Sequence, residues 1–242
     1  MGVRIEHPQE LINESQYHNI NYSHLLPPAT YSLTFNNKDR GIYSFCMCPG
    51  GIIVPSSDRN NAMVVNGMSN SSRSGKFANS AIVVTVNEKD AKKYASFGAL
   101  SLLKLQEKAE EMMYYKNQIC PAQKITDFIN NKVSSYLAPS SYIPGLVSMD
   151  MKERLMPFIR ENLVLGFKEF DTKIKGFISE QANVIGLESR TSSAVRITRD
   201  PNTLQHVQLN NLYPCGEGAG YAGGITSSAI DGINAANKIA NE

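Results

Sequence analysis

Residues 210–233 read NNLYPCGEGAGYAGGITSSAIDGI, and five glycines fall within the nine positions from Gly216 to Gly224. Glycines this dense let a backbone pass close to a bulky group. The helical pattern that follows at once points its free N–H groups and positive dipole end at the same place. An anion suits such a site, as does an electron-poor ring with a polar carbonyl edge; an ordinary glycine-rich turn between strand and helix has the same composition. Thr226, Ser227 and Ser228 add hydroxyls in the first helical turn. Glu217 stands between two glycines, where a carboxylate either accepts ligand hydroxyls or is solvated. No lysine follows the glycines, so this is not a phosphate loop. The chain also ends too soon for the acidic strand end that a dinucleotide fingerprint places about twenty residues further on.

A second group of residues lies near the start. In Cys46-Met47-Cys48-Pro49-Gly50-Gly51, alternation puts Cys46 and Cys48 on one face of a strand, and Pro-Gly-Gly then forces a turn. Zinc needs four ligands, usually two well-spaced pairs, and only Cys120, Cys215 and four scattered histidines remain, so no metal site is expected. A redox dithiol is normally CxxC, and a disulfide across one residue is strained. The two thiols are therefore packing groups, lining of a substrate cavity or, least readily, a redox pair. Arg190-Thr191-Ser192-Ser193-Ala194-Val195-Arg196 combines two cations with three hydroxyls, suited to a carboxylate-bearing substrate or to a polar strand edge with one salt bridge. Asn66-Gly67-Met68-Ser69-Asn70 with Arg73 offers amides and hydroxyls, as a plain loop or a substrate-contact loop. His7, His18, His24 and His206 are isolated, and no nucleophile triad is apparent.

The elements that would position these groups follow from periodicity. Tyr31, Leu33 and Phe35 alternate with polar residues, as do Tyr43, Phe45 and Met47, with a turn at 36–41 between them. Ile52–Val54, Ala62–Val65 and Ala81–Val86 read as further strands, with a turn at 56–61, and the close spacing suggests an antiparallel meander. A helix follows with Leu102, Leu105, Ala109 and Met112 inward and Glu107, Lys108, Glu110 and Glu111 outward. A second is expected from about Met151 to Phe170, with Leu155, Ile159, Leu163 and Phe167 inward and Pro157 near its first turn, after a loop over 134–145. Val184–Leu187, Ala194–Thr198, His206–Leu209 and Leu212–Cys215 read as strands. The last helix carries Ile225, Ala229, Ile233, Ala236 and Ala240 as one buried stripe.

The 242 residues carry a net charge of +2 with no basic stripe, which argues against nucleic acid. The charged start MGVRIEHPQE is not a signal peptide, Glu6 argues against myristoylation, and the longest apolar run, 81–86, is far too short to span a membrane. Four cysteines do not make a disulfide scaffold, so a cytoplasmic protein of a reducing compartment is expected.

Four stretches in order carry a family resemblance: Gly2-Val3-Arg4-Ile5-Glu6-His7-Pro8, Tyr43 to Gly51, Glu188 to Ser193, and LYPCGEGAGYAGGITSSAIDGINAA; Val65 to Asn70 adds to them. Together they resemble the FAD-dependent dehydrogenases of the NAD(FAD)-utilizing dehydrogenase type, two-domain flavoproteins of the glutathione-reductase-like class. Proline is frequent in that family where Ala194 stands here. The resemblance implies an α+β, partly α/β fold: a substrate (cap) domain of antiparallel strands and helices over 1–180, then the carboxyl-terminal strands and helix of a Rossmann-like FAD domain over 181–242. No GxGxxG opens this chain, so the amino-terminal half that holds the ADP part of FAD is expected as a missing partner, which would leave the strand at 212–215 with an exposed apolar edge prone to self-association.

The resemblance assigns Gly216, Glu217, Gly218, Gly220, Tyr221, Gly223, Gly224 and Ile225 to FAD, with Glu217 on ribityl or ribose hydroxyls and the amides at 223–225 at the flavin's pyrimidine edge. Cys46, Cys48, Gly50, Gly51, Asn66, Arg190, Ser192 and Arg196 become substrate-side candidates. Hydride transfer through FAD is implied, NAD(P)H is suggested as electron donor by the family name, and neither a catalytic side chain nor a substrate is identified. Two other readings remain: an inactive fragment or binding module unable to hold FAD alone, and an unrelated protein that binds phosphate at Gly216–Gly224.

Overall fold

The structure, a computed structural model, describes residues 1–18, 25–38, 40–92 and 98–241. His24, and Asp39 in the expected turn at 36–41, lie outside the described residues. Two compact units are present, one of Met1–Val86 with Glu107–Ser189, the other of Asn87–Gln106 with Arg190–Glu242.

The first unit is built on a mixed, mostly antiparallel sheet. Its strands are β1 (Gly2–Pro8), β2 (Thr34–Asn37), β3 (Arg40–Pro55), β4 (Val65–Met68), β5 (Phe77–Val84), β6 (Cys120–Lys124), β7 (Leu146–Ser148) and β8 (Asn183–Glu188), in the order β2-β3-β5-β1-β8-β6-β7 with β4 paired to β3. Every pairing is antiparallel except β6 with β7. The described residues form six helices: α1 (Gln9–Tyr17), α2 (Glu88–Ala91), α3 (Gly98–Met113), α4 (Ile125–Ile129), α5 (Pro157–Lys173) and α6 (Ile225–Ala240), of which α2 and α6 belong to the second unit. This is the α+β part of the architecture that the family resemblance implied.

The two faces of the central strands differ in chemistry. Register places Val3, Ile5 and His7 of β1 beside Ile82, Ser80 and Ala78 of β5, and Ile42 of β3 beside Val84. This is the α5 side: the space a side chain would need at Gly166 is taken by Ile42, and Phe167, Phe170 and Phe177 cluster there with His7 and Tyr31 at ring-centroid distances of 4.9–6.2 Å. Each fully buried phenylalanine contributes about 1.5–3 kcal/mol. The opposite face carries Arg4 and Glu6 of β1, Asn79 of β5 and Asn183 of β8, all buried. There Asn183 bonds both ways with the Ala138 backbone, and Glu6 accepts from the Ser141 amide at 3.1 Å and from its hydroxyl.

Several expectations are corrected. The second long helix starts at Pro157, not Met151, because proline holds the preceding Met156 in extended backbone (φ −61°, ψ 137°) while fitting the first helical position. On α3, Glu110 is buried rather than outward, its Oε2 accepting from Arg59 Nη2 at 2.6 Å, and Met113 is the fully buried methionine at the end of that helix. The strand expected at 62–65 begins only at Val65, since Met63 N–H donates to the Glu110 carbonyl instead of to a strand. Segments 194–198, 206–209 and 212–215 are not strands: the Ile197 amide bonds Ala219 O, His206 bonds Leu212 O, and only an isolated bridge joins Arg199 to His206. Short apolar runs without a neighbouring strand close turns instead, aided by left-handed backbone at Leu204 and Asn211. With no strand at 212–215, the apolar sheet edge expected there is absent.

Helix α6 also departs from expectation. Ile225, Ala229, Ile233, Ala236 and Ala240 are exposed, Ile225 at 89%. The covered side is the adjacent one, through Ser228, Asp231, Gly232 and the buried Ala235. Asp231 selects that side because its carboxylate is held by groups of the same unit, as described below.

Candidate functional site

The first unit gathers its substrate-side candidates around a side chain that periodicity did not single out. Arg4 lies on a strand covered on both faces and is fully buried. Its Nε donates to Asn79 Oδ1 at 2.7 Å, Nη1 to Glu188 Oε2 at 2.9 Å and Asn66 Oδ1 at 3.4 Å, and Nη2 to Cys46 O at 2.6 Å and Cys48 Sγ at 3.4 Å. A buried guanidinium is tolerated only when paired and fully hydrogen-bonded, and Glu188 supplies the counter-charge. Gly67 allows β4 to cross this cluster, because a Cβ there would overlap Arg4 Nη2 and Asn79 Oδ1. Cys46, Cys48 and Asn66 are thus brought together on one cation.

Chemically the two cysteines differ. Cys48 is buried and donates to Cys46 O at 3.3 Å; burial pushes its thiol pKa up, and the Arg4 guanidinium only partly opposes this. It is a protonated packing and hydrogen-bonding group. Cys46 is exposed, at a bulge in the β3–β5 register with φ 46°. Pro49, Gly50 and Gly51 do not make the expected turn: they continue β3 where that strand crosses 68–75. A Cβ on Gly50 would overlap Arg73 O, and one on Gly51 would stand 2.6 Å from Met68 O, so this chain's own backbone requires both glycines. The Gln9 side chain at the start of α1 fixes this stretch by accepting from Gly50 N–H at 2.6 Å. Beside it, a cavity of about 200 Å³ is lined by Gly50, Gly51, Ile52, Met68, Ser69 and Gly75, among others.

The second unit holds the glycine loop. Two backbone bonds close it, Gly220 N–H to Glu217 O at 2.9 Å and Tyr221 N–H to Gly216 O at 3.1 Å. The 190–200 segment packs directly against it. A Cβ on Gly220, whose φ is +83°, would lie 2.5 Å from Val195 O, and one on Gly223 would lie 2.8 Å from Thr191 O and 3.8 Å from Ser192 Cβ. Arg196 Nε donates to Gly220 O at 2.9 Å, with its guanidinium 4.9 Å from the Tyr221 ring centroid. Ser192 and Arg196 are therefore brought to the loop, while Arg190 is exposed at the start of the segment.

Arg199 and Asp231 tie the loop down. The guanidinium donates to both Asp231 oxygens at 3.0 and 2.7 Å and to Pro214 O at 2.7 Å, and lies 3.6 Å from the Tyr221 centroid. Asp231 Oδ2 also accepts from Gly216 N–H at 2.9 Å. The Arg199 bond, followed by the Gly216 amide, holds the Asp231 carboxyl below its ordinary range against the cost of burial.

Not every glycine in the loop is explained by such packing. A Cβ on Gly218 would meet nothing within 4 Å, and Gly218 and Glu217 are both exposed. At the start of α6 the amides of Ile225, Thr226 and Ser227 precede the first intrahelical bond, which runs from Ser228 N–H to Gly224 O at 2.9 Å, and these residues are exposed. The donor set of exposed helix amides, an exposed carboxylate and a glycine open on its Cβ side fits a flavin with its polar ring edge and hydroxylated chain.

Arg4, Glu188, Asn79, Arg199 and Asp231 were not assigned roles from sequence. Arg4 and Glu188 do belong to two of the stretches that carry the family resemblance, which is the signal that could have found them. Among the described residues no three His, Cys, Asp or Glu side chains gather as metal ligands, and no helix is long and apolar enough to cross a membrane.

An uncharacterized protein of Clostridium beijerinckii (strain ATCC 51743 / NCIMB 8052) is 43% identical over 244 residues, which cover 99% of this chain and 45% of that protein. The chain thus spans about half the length of the curated relative it matches. Residues 1–191, including the Arg4 cluster and all eight strands, match the family model described as FAD-dependent protein, C-terminal domain-like. The glycine loop lies beyond that match, within the stretch aligned with the clostridial protein. On these matches, the chain belongs to the FAD-dependent protein, C-terminal domain-like family.

Proposed function

We propose that this chain is the substrate-side domain and carboxyl-terminal, flavin-facing segment of a cytoplasmic FAD-dependent oxidoreductase of the NAD(FAD)-utilizing dehydrogenase type. The observation that carries this reading is Gly218, a glycine whose missing side chain serves no packing within the chain, in a loop whose Gly216 lies against Ser228 of α6. In this reading the first unit, which keeps β8 in its sheet, forms the substrate domain, and residues from 190 on contribute to a Rossmann-like FAD domain completed by an amino-terminal GxGxxG unit. The exposed isoleucines of α6 give that unit an apolar surface to cover.

Bound FAD would supply the hydride chemistry. The chain's residues would hold and orient it: Glu217 at the hydroxylated chain, the backbone from Gly216 to Gly220 against its face, and the amides of Ile225 to Ser227 at a polar ring edge, where fixed dipoles stabilise added negative charge. Tyr221 and Gly223 keep this loop on the 190–200 segment. Cys46, Cys48, Gly50, Gly51 and Asn66 are the substrate-side candidates of the first unit, and Arg190, Ser192 and Arg196 those of the second. NAD(P)H as donor rests on the resemblance.

Two variants test the reading, with the amino-terminal unit co-expressed. Gly218→Val should leave the thermal midpoint unchanged and weaken FAD binding by about tenfold or more, the factor that 1.4 kcal/mol represents. Gly220→Ala, at positive φ and against Val195 O, should lower the midpoint. Wild-type FAD affinity in Gly218→Val would remove the observation that carries the reading.

A further inference from the structure

We propose that Asp231 is the positioning residue of the glycine loop, one carboxylate fixing the loop's entry at Gly216 and, through Arg199, its exit at Tyr221, so that the loop meets FAD already in its binding shape. The proposal rests on the flavin reading above.

Asp231 sits on the covered side of α6, beyond the exposed first turn. From there it faces two demands that an ion pair alone would not meet. Oδ2 accepts both the Gly216 amide at 2.9 Å and Arg199 Nη1 at 3.0 Å, while Oδ1 takes Arg199 Nη2 at 2.7 Å. Arg199 in turn does more than neutralise it. Nη1 also holds Pro214 O at 2.7 Å, two residues before the loop, and the guanidinium lies over the Tyr221 ring. The Tyr221 hydroxyl accepts from the Arg199 amide at 3.1 Å and donates to Ile197 O at 3.0 Å, which fixes the ring at the loop's far end. Both ends of the 216–221 turn are therefore referred to one helix residue. The turn between them adds its own closing bonds and accepts two more from the 190–200 segment, Ile197 N–H to Ala219 O and Arg196 Nε to Gly220 O, while Glu217 and Gly218 stay exposed. A loop that is ordered before binding loses less conformational freedom when the ligand arrives, and affinity rises accordingly.

An ordinary ion pair between partly exposed groups tolerates exchange of its two partners. This one does not, because Gly216 N–H needs an acceptor on α6 and Pro214 O needs a donor at 199. That asymmetry supplies the test. Asp231→Asn, Arg199→Lys and the reversed pair Arg199→Asp with Asp231→Arg are compared with wild type by hydrogen exchange of the amides that follow Pro214, from Cys215 to Tyr221, and by FAD titration, with the amino-terminal unit co-expressed. Exchange of 215–221 should accelerate about tenfold or more in all three, with the β1, β5 and β8 amides unchanged, and FAD should bind about tenfold more weakly. Arg199→Lys keeps the charge and serves as the milder variant should Asp231→Asn fold poorly. Reversal that restores FAD affinity to within twofold of wild type would overturn the proposal, because a plain ion pair would then suffice; so would unchanged exchange in Asp231→Asn. If wild type binds no FAD, the flavin reading fails and the cofactor role of Asp231 falls with it, whereas faster exchange in Asp231→Asn would still establish that the carboxylate holds the loop.

Discussion

Replacing Arg4 by methionine, which keeps much of the side chain's length and removes the guanidinium, probes the first unit at its least forgiving point. Glu188 would be left with its side chain 5% exposed and without its 2.9 Å partner. Breaking a buried pair by deleting one member costs about 3–5 kcal/mol. Asn79 Oδ1 loses its donor as well, and that stranded acceptor adds about 1 kcal/mol at the low end, while Cys46 O keeps the Cys48 thiol. The expected loss is about 5 kcal/mol, comparable to the whole stability of a marginal domain. With a urea slope of about 2–3 kcal/mol per molar, the midpoint should fall by about 2 M. The sequence has 11 tyrosines and no tryptophan, so tyrosine fluorescence reports the transition. Arg4→Met with Glu188→Leu should recover most of the loss, since an apolar pair replaces a buried ion pair at little cost. A single variant within about 1 kcal/mol of wild type, or a double variant no more stable than the single, would refute the claim that Glu188 depends on Arg4.

Other outcomes follow from the same structure. Burial holds the His7 pKa down to about 4 against its bond to Phe177 O, so the native state stays neutral where the unfolded chain protonates. Stability should be full above pH 6.5 and should fall between pH 6.5 and about 4, by about 3 kcal/mol, and His7→Leu should flatten that slope in a pH series of urea titrations. Glu6 acts with the opposite sign: burial raises its pKa against the Ser140 and Ser141 hydrogen bonds, so stability falls as pH rises above 4.5 through the raised value, and Glu6→Gln should remove that decline. Iodoacetamide on the native protein should label the exposed Cys46 and Cys215 and spare the buried Cys48 and Cys120, as peptide mass spectrometry would resolve; labelling of Cys48 at a comparable rate would contradict its burial as a protonated thiol.

The hairpin about the 36–41 turn was legible because Tyr43–Met47 alternates after turn residues, although β2 starts only at Thr34 and Pro49, Gly50 and Gly51 continue β3 instead of turning; α5 was legible from Ile159, Leu163 and Phe167. Arg4 was hidden for a physical reason. In VRIEHP the charged residues alternate with apolar ones as on a strand with one wet face, yet β1 lies between β5 and β8 with both faces covered, and only the pairing reveals that its polar side is interior. Glu110 was hidden likewise: it reads as part of an acidic outer helix face, and its partner Arg59 is far away in sequence. The stripe on α6 was a correct reading of periodicity, but periodicity shows which residues share a face and not whether the chain covers it. Segments 194–198, 206–209 and 212–215 show the converse, apolar runs that have strand composition but no strand to pair with. For the candidate site, the glycine loop, Glu217, Ser192 and Arg196 were visible as residues suited to a ligand. That Arg199 and Asp231 hold the loop was not visible, because a bidentate contact across 32 positions leaves no local pattern.

The measurement closest to the central claim is a titration with FAD, followed by absorbance and fluorescence, of this chain alone and with a co-expressed amino-terminal GxGxxG unit. Saturable binding that requires the second unit is the predicted result. Absence of binding in both preparations would contradict the assignment of the glycine loop to a flavin.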